Sequence, residues 1–264
     1  VLNLWLVYDA ERRARNGWMI EHYIECGAKQ GIKISLIDEH LPLPAERADA
    51  AIIRCVAPQL RAECERLGIP VHNPTEVAAV TNDKWSSYQY FSTRGIPMLE
   101  TYRATVAPPL AFPFVAKPVD GHGGAGVELI QNEQQWANYS SQNDVFLAQE
   151  LADTPGVDLR IYLLGGEIVA AMLRESASDF RSNFSLGGSA RFYELGAEER
   201  GLVEKILVAL PSLRGSFVGI DLMPHGGGWV LNEIEDVVGT RMLYTHTDID
   251  IVPEHLRFIV DAIE

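Results

Sequence analysis

The sequence is poor in cysteine: Cys26, Cys55 and Cys64 are the 3 in 264 residues, and no two form a C-x-x-C pair. An odd number at these spacings argues against a disulfide scaffold or a cysteine-based zinc cluster. It suits free thiols in a reducing compartment, so a cytoplasmic protein is expected. Apolar runs of roughly 18 residues, the length that spans a bilayer, are missing as well. The opening VLNLWLVYD has an apolar run but no basic region before it and no small-residue cleavage site, so it is expected to be a core strand rather than a signal peptide. Positive charge is scarce, with 22 Lys plus Arg against 36 Asp plus Glu and a net charge of −14. Such a field repels nucleic-acid backbones and anionic membranes, so neither is an expected partner. G-x-S-x-G, H-E-x-x-H and G-x-x-x-x-G-K-[ST] do not occur, which removes the usual hydrolase, zincin and P-loop readings. His246 has no second histidine at ligand spacing and reads as structural. No internal repeat or low-complexity segment is found.

What is present is a chain of ordinary globular make-up, 47% hydrophobic and 22% charged, long enough for a large core divided into lobes. The first part alternates strands (LNLWLVYD, KISLIDE, ADAAIIRCV, IPVHN) with helices (NGWMIEHYIECGAKQG, APQLRAECERLG), the rhythm of a small parallel α/β lobe. HNPTEVAAVTNDK reads as turn residues leading into the helix DKWSSYQYFSTRG. From about residue 97 strands dominate: FPFVAKPV, GVELI, FLAQEL, DLRIYLLGGEIVAAMLRE, SARFYEL, FVGIDLMP and GWVLNEIED. Turn signals such as GG and HGGG between neighbours predict antiparallel hairpins. Helices are expected at NEQQWANYSSQ, AEERGLVEKILVALPSL and VPEHLRFIVDAI.

GHGGAG, from Gly121 to Gly126, has the G-x-G-x-x-G spacing of a dinucleotide-binding turn. That turn follows a first strand and opens a helix. Here it comes after a hundred residues and is followed by the strand-like VELI. It therefore reads as a glycine flap between two strands, whose bare N–H groups suit phosphates. Alternation in FVAKPV sets Val115, Lys117 and Val119 on one side of a strand, so Lys117 is expected to face inward or into a cleft. It is then a candidate phosphate contact, against the blander reading of a surface lysine. Glu233 and Glu235, two apart, share a strand face, and Asp221 lies on the partner strand near the register of Glu233. These are either a solvated, salt-bridged edge or, lacking counter-charges, the oxygen ligands of Mg²⁺ or Mn²⁺. Arg160, Arg174 and Arg181 stand in consecutive strand-like segments, as surface residues or as bidentate binders of a carboxylate or phosphoryl group.

Taken in order, these segments resemble the ATP-grasp superfamily and within it the RimK-like amino-acid ligases, over about two thirds of the chain from Asp83 onward. The resemblance implies an α/β N-terminal lobe (residues 1–78), an α+β lid subdomain with the glycine flap (79–146) and a C-terminal subdomain with the metal site (147–264). The nucleotide would be clamped between two antiparallel-sheet lobes. DKWSSYQYFSTRGIP is similar to the helix that brings a nucleotide-contacting lysine, here Lys84. FVAKPVDGHGGAGVELI resembles the second lysine, Lys117, with its flap, implying contacts from Gly121, Gly123 and Gly124. AQEL resembles the hinge at the adenine edge (Gln149, Glu150, Leu151), and Asp158 would face the ribose. SDFRSNFSLGG is similar to the family's D-F-R-x-N signature, which implies Arg181 and Asn183 at the phosphates. Asp221 and Glu233 match the metal carboxylates. Glu235 stands where the family usually has Asn, and DVVGTRM replaces the usual Ser/Thr-Pro-Gly turn.

The resemblance further implies ATP and Mg²⁺ (or Mn²⁺) as cofactors and the joining of a carboxylate to an amine through an acyl phosphate. Lys117, Arg181, Arg174 and Arg160 would be the catalytic cations. The substrates would be small molecules, or the acceptor a peptide or protein, and homo-oligomers are common among relatives. The alternatives are an ATP-grasp small-molecule kinase and a nucleotide-binding module without turnover.

Overall fold

The computed structural model describes residues 1–103, 107–120, 124–176, 179–181 and 188–263. The first lobe runs β1 (Leu2–Tyr8), α1 (Ala10–Arg15), α2 (Gly17–Lys29), β2 (Ile32–Asp38), β3 (Ala50–Ile53), α3 (Pro58–Arg66) and β4 (Val71–His72). Its four strands are parallel in the order β2-β1-β3-β4. Both faces of this sheet are covered, which is why β1 is a near-continuous apolar run. Leu4 and Leu6 pack toward Met19, Ile20 and Tyr23 of α2, while Trp5 and Val7 pack toward Leu60 and Cys64 of α3. All three cysteines are buried free thiols. Helix α1, left unassigned by the sequence reading, starts because the Asp9 carboxylate caps it, accepting from the Arg12 N–H at 2.6 Å.

Two helices follow, α4 (Thr75–Thr81) and α5 (Lys84–Ser92). The expectation of turns over HNPTEVAAVT is corrected: Pro74 precedes the first turn of α4, and Val77 packs into the core. Pro at a helix start costs no hydrogen bond, so it marks an entry here rather than a break. Asp83 caps α5 through the Ser86 N–H at 2.6 Å, which fixes Lys84 at the head of the helix.

The middle layer comprises β5 (Thr101–Arg103), β6 (Phe114–Pro118), β7 (Glu128–Ile130), α6 (Glu133–Gln142) and β8 (Phe146–Glu150). Its strands are antiparallel in the order β5-β8-β6-β7. Phe114, Ala116, Phe146 and Ala148 pack on Trp136 and Tyr139 of α6. Strand alternation therefore turns Val115, Lys117, Leu147 and Gln149 to the other face. β6 and β7 flank the glycine segment, of which Gly121 and Gly123 lie outside the described residues.

The largest sheet holds β9 (Val157–Leu164), β10 (Glu167–Glu175), β11 (Ser189–Phe192), then after α7 (Ala197–Ala209) the hairpin β12 (Phe217–His225) and β13 (Gly228–Glu235). Its order is β11-β10-β9-β12-β13, antiparallel throughout. One face, carrying Leu159, Ile161, Ile220, Leu222, Leu231 and Ile234, packs against α7 and against Val77 and Phe91 of α4 and α5. The chain closes with α8 (Arg241–His246) and α9 (Ile251–Ile263). The sequence reading assigned no helix to α8, whose Met242 and Leu243 pack with Tyr162 and Met172 on the sheet's other face. Helix α9 returns to the first lobe, burying Val252, Leu256 and Ile259 beside Leu4 and Leu6. β8 pairs with β5 and β6 in the middle sheet, and α9, last in the chain, packs with the first lobe.

One buried polar knot ties first lobe to last. The Asp236 carboxylate, just past β13, accepts from Arg61 of α3 at 3.0 Å, from Asn73 at 2.8 Å and from Asn82 at 3.2 Å.

Candidate active site

The polar face of the large sheet is a row of charges set directly across strands. In register, Arg174 of β10 faces Asp158 of β9, Arg160 of β9 faces Asp221 of β12, and Asp221 faces Glu233 of β13. A β-bulge decides which β13 residues take part. Glu233 pairs with Asp221 but Leu231 pairs with Leu222, so Asn232 is the extra residue. The bulge lets Leu231 join the core while Glu233, two residues on, points the opposite way into the cleft. Gly219 leaves room for the stem of Arg160, since a Cβ there would sit 3.1 Å from the Arg160 Cδ and 2.7 Å from the Val238 Cγ2.

The acidic residues have partners, which corrects the expectation that they lack counter-charges. Arg160 grips Asp221 through Nε and a terminal nitrogen, both at 2.5 Å, and reaches Glu235 at 2.8 Å. Arg174 binds Asp158 with two bonds of 2.5 Å and Asp221 with one of 2.8 Å. Lys84 lies 3.1 Å from Glu233. Burial disfavours the Asp221 charge, yet the two guanidinium groups hold its carboxyl at about 2. Burial likewise opposes ionisation of Glu233, but Lys84 brings its carboxyl below the ordinary range. For Glu235 burial prevails over Arg160, and its carboxyl is pushed up.

Opposite this row stands the polar face of the middle sheet. Lys117 is inward-facing and only 6% exposed, donating to the Gln149 Oε1 at 2.7 Å, while Gln149 donates to the Thr101 hydroxyl at 3.1 Å. Burial pushes the Lys117 ammonium down to about 8, with Glu233 only partly opposing it. Arg181 pairs with Asp179 and donates to the Gly124 carbonyl at 3.2 Å, linking the flap's last described part to the large sheet's loop. Gly156 seats that loop: its N–H donates to the Phe180 carbonyl and its carbonyl accepts from the Ser176 N–H, both at 2.8 Å. With φ at +80° and a Cβ position only 2.6 Å from the Asp179 carbonyl, this position admits glycine alone without rearrangement.

A single cleft between the two faces is bordered by Lys84, Lys117, Gly124, Gln149, Glu150, Leu151, Asp158, Arg174, Arg181, Asp221 and Glu233. Most of the residues singled out from the sequence are therefore neighbours. Arg160 and Glu235 are not on this cleft but on a second cavity behind it, which also touches Arg174. Asn183, with Gly121 and Gly123, lies outside the described residues. The sequence reading missed the apolar wall of the cleft (Leu99, Val115, Val127, Phe180, Met223) and Asn232. Val115 carried a signal, since it shares the strand face of Lys117; Asn232 became visible only with the bulge.

The chain matches the RimK-like ATP-grasp domain over residues 81–259 and belongs to that family. It is an ATP-grasp carboxylate–amine ligase. A Glutamate–LysW ligase ArgX of Sulfurisphaera tokodaii is 28% identical over 243 residues, covering 83% of this chain and 85% of that one. In three dimensions the chain is similar to D-cycloserine synthetase DcsG, with a TM-score of 0.77 at 16% identity, covering 99% of this chain and 100% of the other. It is also similar to the ATP complex of D-alanine–D-alanine ligase from Bacillus anthracis, with a TM-score of 0.74 at 15% identity, covering 100% and 97%.

Proposed function

We propose that the chain joins a carboxylate to an amine by way of an acyl phosphate, with the ATP phosphates lying in the cleft between Lys117 and the Asp221–Glu233 pair. A carboxylate oxygen attacks the γ-phosphorus and the bond to ADP breaks. The amine nitrogen then attacks the acyl carbon, phosphate leaves, and the amine loses a proton. The observation that carries this reading is that Lys84 of α5, Lys117 of the middle sheet and the Asp221–Glu233 pair of the large sheet, all buried or half-buried, border one cleft.

Each residue's duty follows from its chemistry. Lys117 and Arg181 offset charge on the phosphates, and Lys84 approaches from the head of α5. Leu99, Val115 and Met223 give a flat base an apolar slot, with the Gln149–Leu151 hinge along its edge. Asp158 has both oxygens taken by Arg174, so it serves a ribose only through its remaining lone pairs. Asp221, Glu233 and Glu235 each place a carboxylate oxygen within 4.8 Å of the others, an all-oxygen set suited to Mg²⁺ or Mn²⁺. Of these, Asp221 and Glu233 border the cleft and would hold the ion, while Glu235 is held by Arg160 toward the neighbouring cavity. When bound, Mg²⁺ supplies charge neutralisation of the phosphates. The cleft encloses about 100 Å³, below the roughly 300–1,000 Å³ of ordinary ligand pockets. Closure of the middle sheet over a bound nucleotide would exclude the water that would otherwise hydrolyse the acyl phosphate.

ADP release with hydroxylamine in place of the amine tests the reading, with a panel of carboxylic acids. A hydroxamate formed in step with ADP is the expected result; a phosphorylated alcohol, or ADP release without hydroxamate, supports a kinase or an idle ATPase instead. The pH dependence is a second check. Because burial lowers the Lys117 pKa to about 8, the free enzyme carries the ammonium below that pH and loses it above. ATP binding then requires proton uptake, so affinity falls above pH 8, approaching about tenfold per pH unit. Lys117→Met should flatten this limb; an unchanged limb assigns the titration to another group.

A further inference from the structure

We propose that His22, Cys26 and Asp250 form a zinc-binding site, in which Zn²⁺ clasps helix α2 to the start of α9, apart from the nucleotide cleft. His22 and Cys26 stand four positions apart on α2 and so share one face of that helix, a turn apart. Asp250 immediately precedes α9, 228 positions along the chain from His22. The site needs a single thiol, so the spacing of the three cysteines does not bear on it.

The donor atoms are already gathered. His22 Nε2 lies 2.8 Å from Asp250 Oδ1, and Cys26 Sγ lies 3.7 Å from both ring nitrogens. One donor atom from each residue falls within 4.8 Å of the others. Tetrahedral zinc, with bonds of about 2.0–2.3 Å, sets neighbouring donor atoms roughly 3.3–3.6 Å apart. The cation enters between Nε2 and the carboxylate, where a hydrogen bond now lies, and side-chain rotations of His22 and Cys26 complete the set. Imidazole, thiolate and carboxylate are all zinc ligands, and the two anions balance the charge of the ion. On binding, the Cys26 S–H bond breaks, an S–Zn bond forms, and the proton passes to solvent. A water fills the fourth position.

The surroundings hold these donors in place. Asp250 Oδ1 also accepts from the Tyr244 hydroxyl at 2.9 Å and from the Val252 N–H at 3.4 Å, while Oδ2 accepts no hydrogen bond among the described residues. Outer hydrogen bonds of this kind orient a ligating carboxylate. The His22 ring stacks on Trp18 at 5.1 Å and meets Tyr244 edgewise at 6.0 Å. Cys26 is 4% exposed, in the core that α2 shares with α9. Gln30, just past α2, donates to the Pro253 carbonyl of α9 at 3.2 Å, so the two helices are tied at a second point. A second gathering, Asp9, Glu39 and Cys55, has no nitrogen donor, and its Asp9 carboxylate is taken by Arg12. It serves as an internal control.

Cobalt(II) titration of the full chain, with thiols reduced and Mg²⁺ in excess to fill oxygen-only sites, tests the proposal. The wild type should develop an intense near-ultraviolet thiolate-to-cobalt band that saturates at one Co²⁺ per chain and is bleached by Zn²⁺. Cys26→Ser should remove the band. His22→Gln, at a half-buried position, and Asp250→Asn should each weaken binding at least about tenfold. Cys55→Ser should leave band and affinity unchanged. Zn²⁺ at about a hundred times its Kd should raise the wild-type melting midpoint by about 5 °C, and that of His22→Gln by half as much or less. The proposal is overturned if the wild type gives no thiolate band, if the band persists in Cys26→Ser or vanishes in Cys55→Ser, or if His22→Gln binds Co²⁺ as tightly as the wild type. ATP turnover does not enter these readings, so the hydroxamate result decides the ligase reading separately.

Discussion

Glu233→Ala should lower ATP-dependent ADP release by on the order of 10³-fold while leaving the fold intact. Glu233 ends the cross-strand row begun by Asp221 and is the partner of Lys84 at 3.1 Å. Its removal takes away one of the two carboxylates proposed to hold the ion and the one that pairs with Lys84. ATP would then bind to a more cationic site but without the anchor that holds a divalent ion against the phosphates. The loss should therefore fall mainly on kcat, with the KM for ATP changed far less. Glu233→Gln keeps the shape and removes the charge, so it should behave like the alanine variant. If the glutamine variant retained near-full activity, the charge of Glu233 would have no part in catalysis. Steady-state ADP release, with a thermal melt for each variant, gives both answers.

The second large effect is on stability. Asp236→Ala should cost about 3–5 kcal/mol, because it removes the only carboxylate paired with the buried Arg61 guanidinium among the described residues, leaving that charge with the Asn73 carbonyl, and takes an acceptor from Asn73 and Asn82. For a chain of this size that corresponds to a fall of roughly 10 °C in the melting midpoint. The Arg61 and Asp236 side chains are 3% and 0% exposed, so neither water nor salt compensates the loss. By contrast Lys33→Ala, which breaks the pair with Glu46 between half-exposed side chains, should barely move the midpoint. Calorimetric melts of the two variants test this; equal midpoints would mean that the knot does not hold the lobes together.

Much of the site was legible in the sequence because it depends on local periodicity. Alternation in FVAKPV was enough to turn Lys117 inward, and the HGGG turn was enough to bring Asp221 opposite Glu233. What was not legible depends on which strands lie side by side. β9 sits between β10 and β12, so Arg160 meets Asp221 across 61 positions of sequence, and no pattern within either strand announces the pair. The same holds for α9, whose apolar face fits any sheet and packs on the first lobe only because the chain returns there. Helix α4 was misread because Asn-Pro favours turns, while the burial of Val77 that favours the helix is tertiary. Asn232 is a poor strand former, but nothing within Gly228–Glu235 marks it as the residue left unpaired by the bulge.

The central claim is that a nucleotide is held from two sides, by Lys117 on one sheet and by a divalent ion on Asp221 and Glu233 of the other. Calorimetric titration of ATP at stepped free Mg²⁺ tests it directly. In the wild type, affinity should rise with Mg²⁺; Glu233→Ala should abolish that rise, and Lys117→Met should lower affinity at every Mg²⁺ concentration while keeping the slope. ATP binding that depends on Mg²⁺ equally in all three proteins would contradict the account.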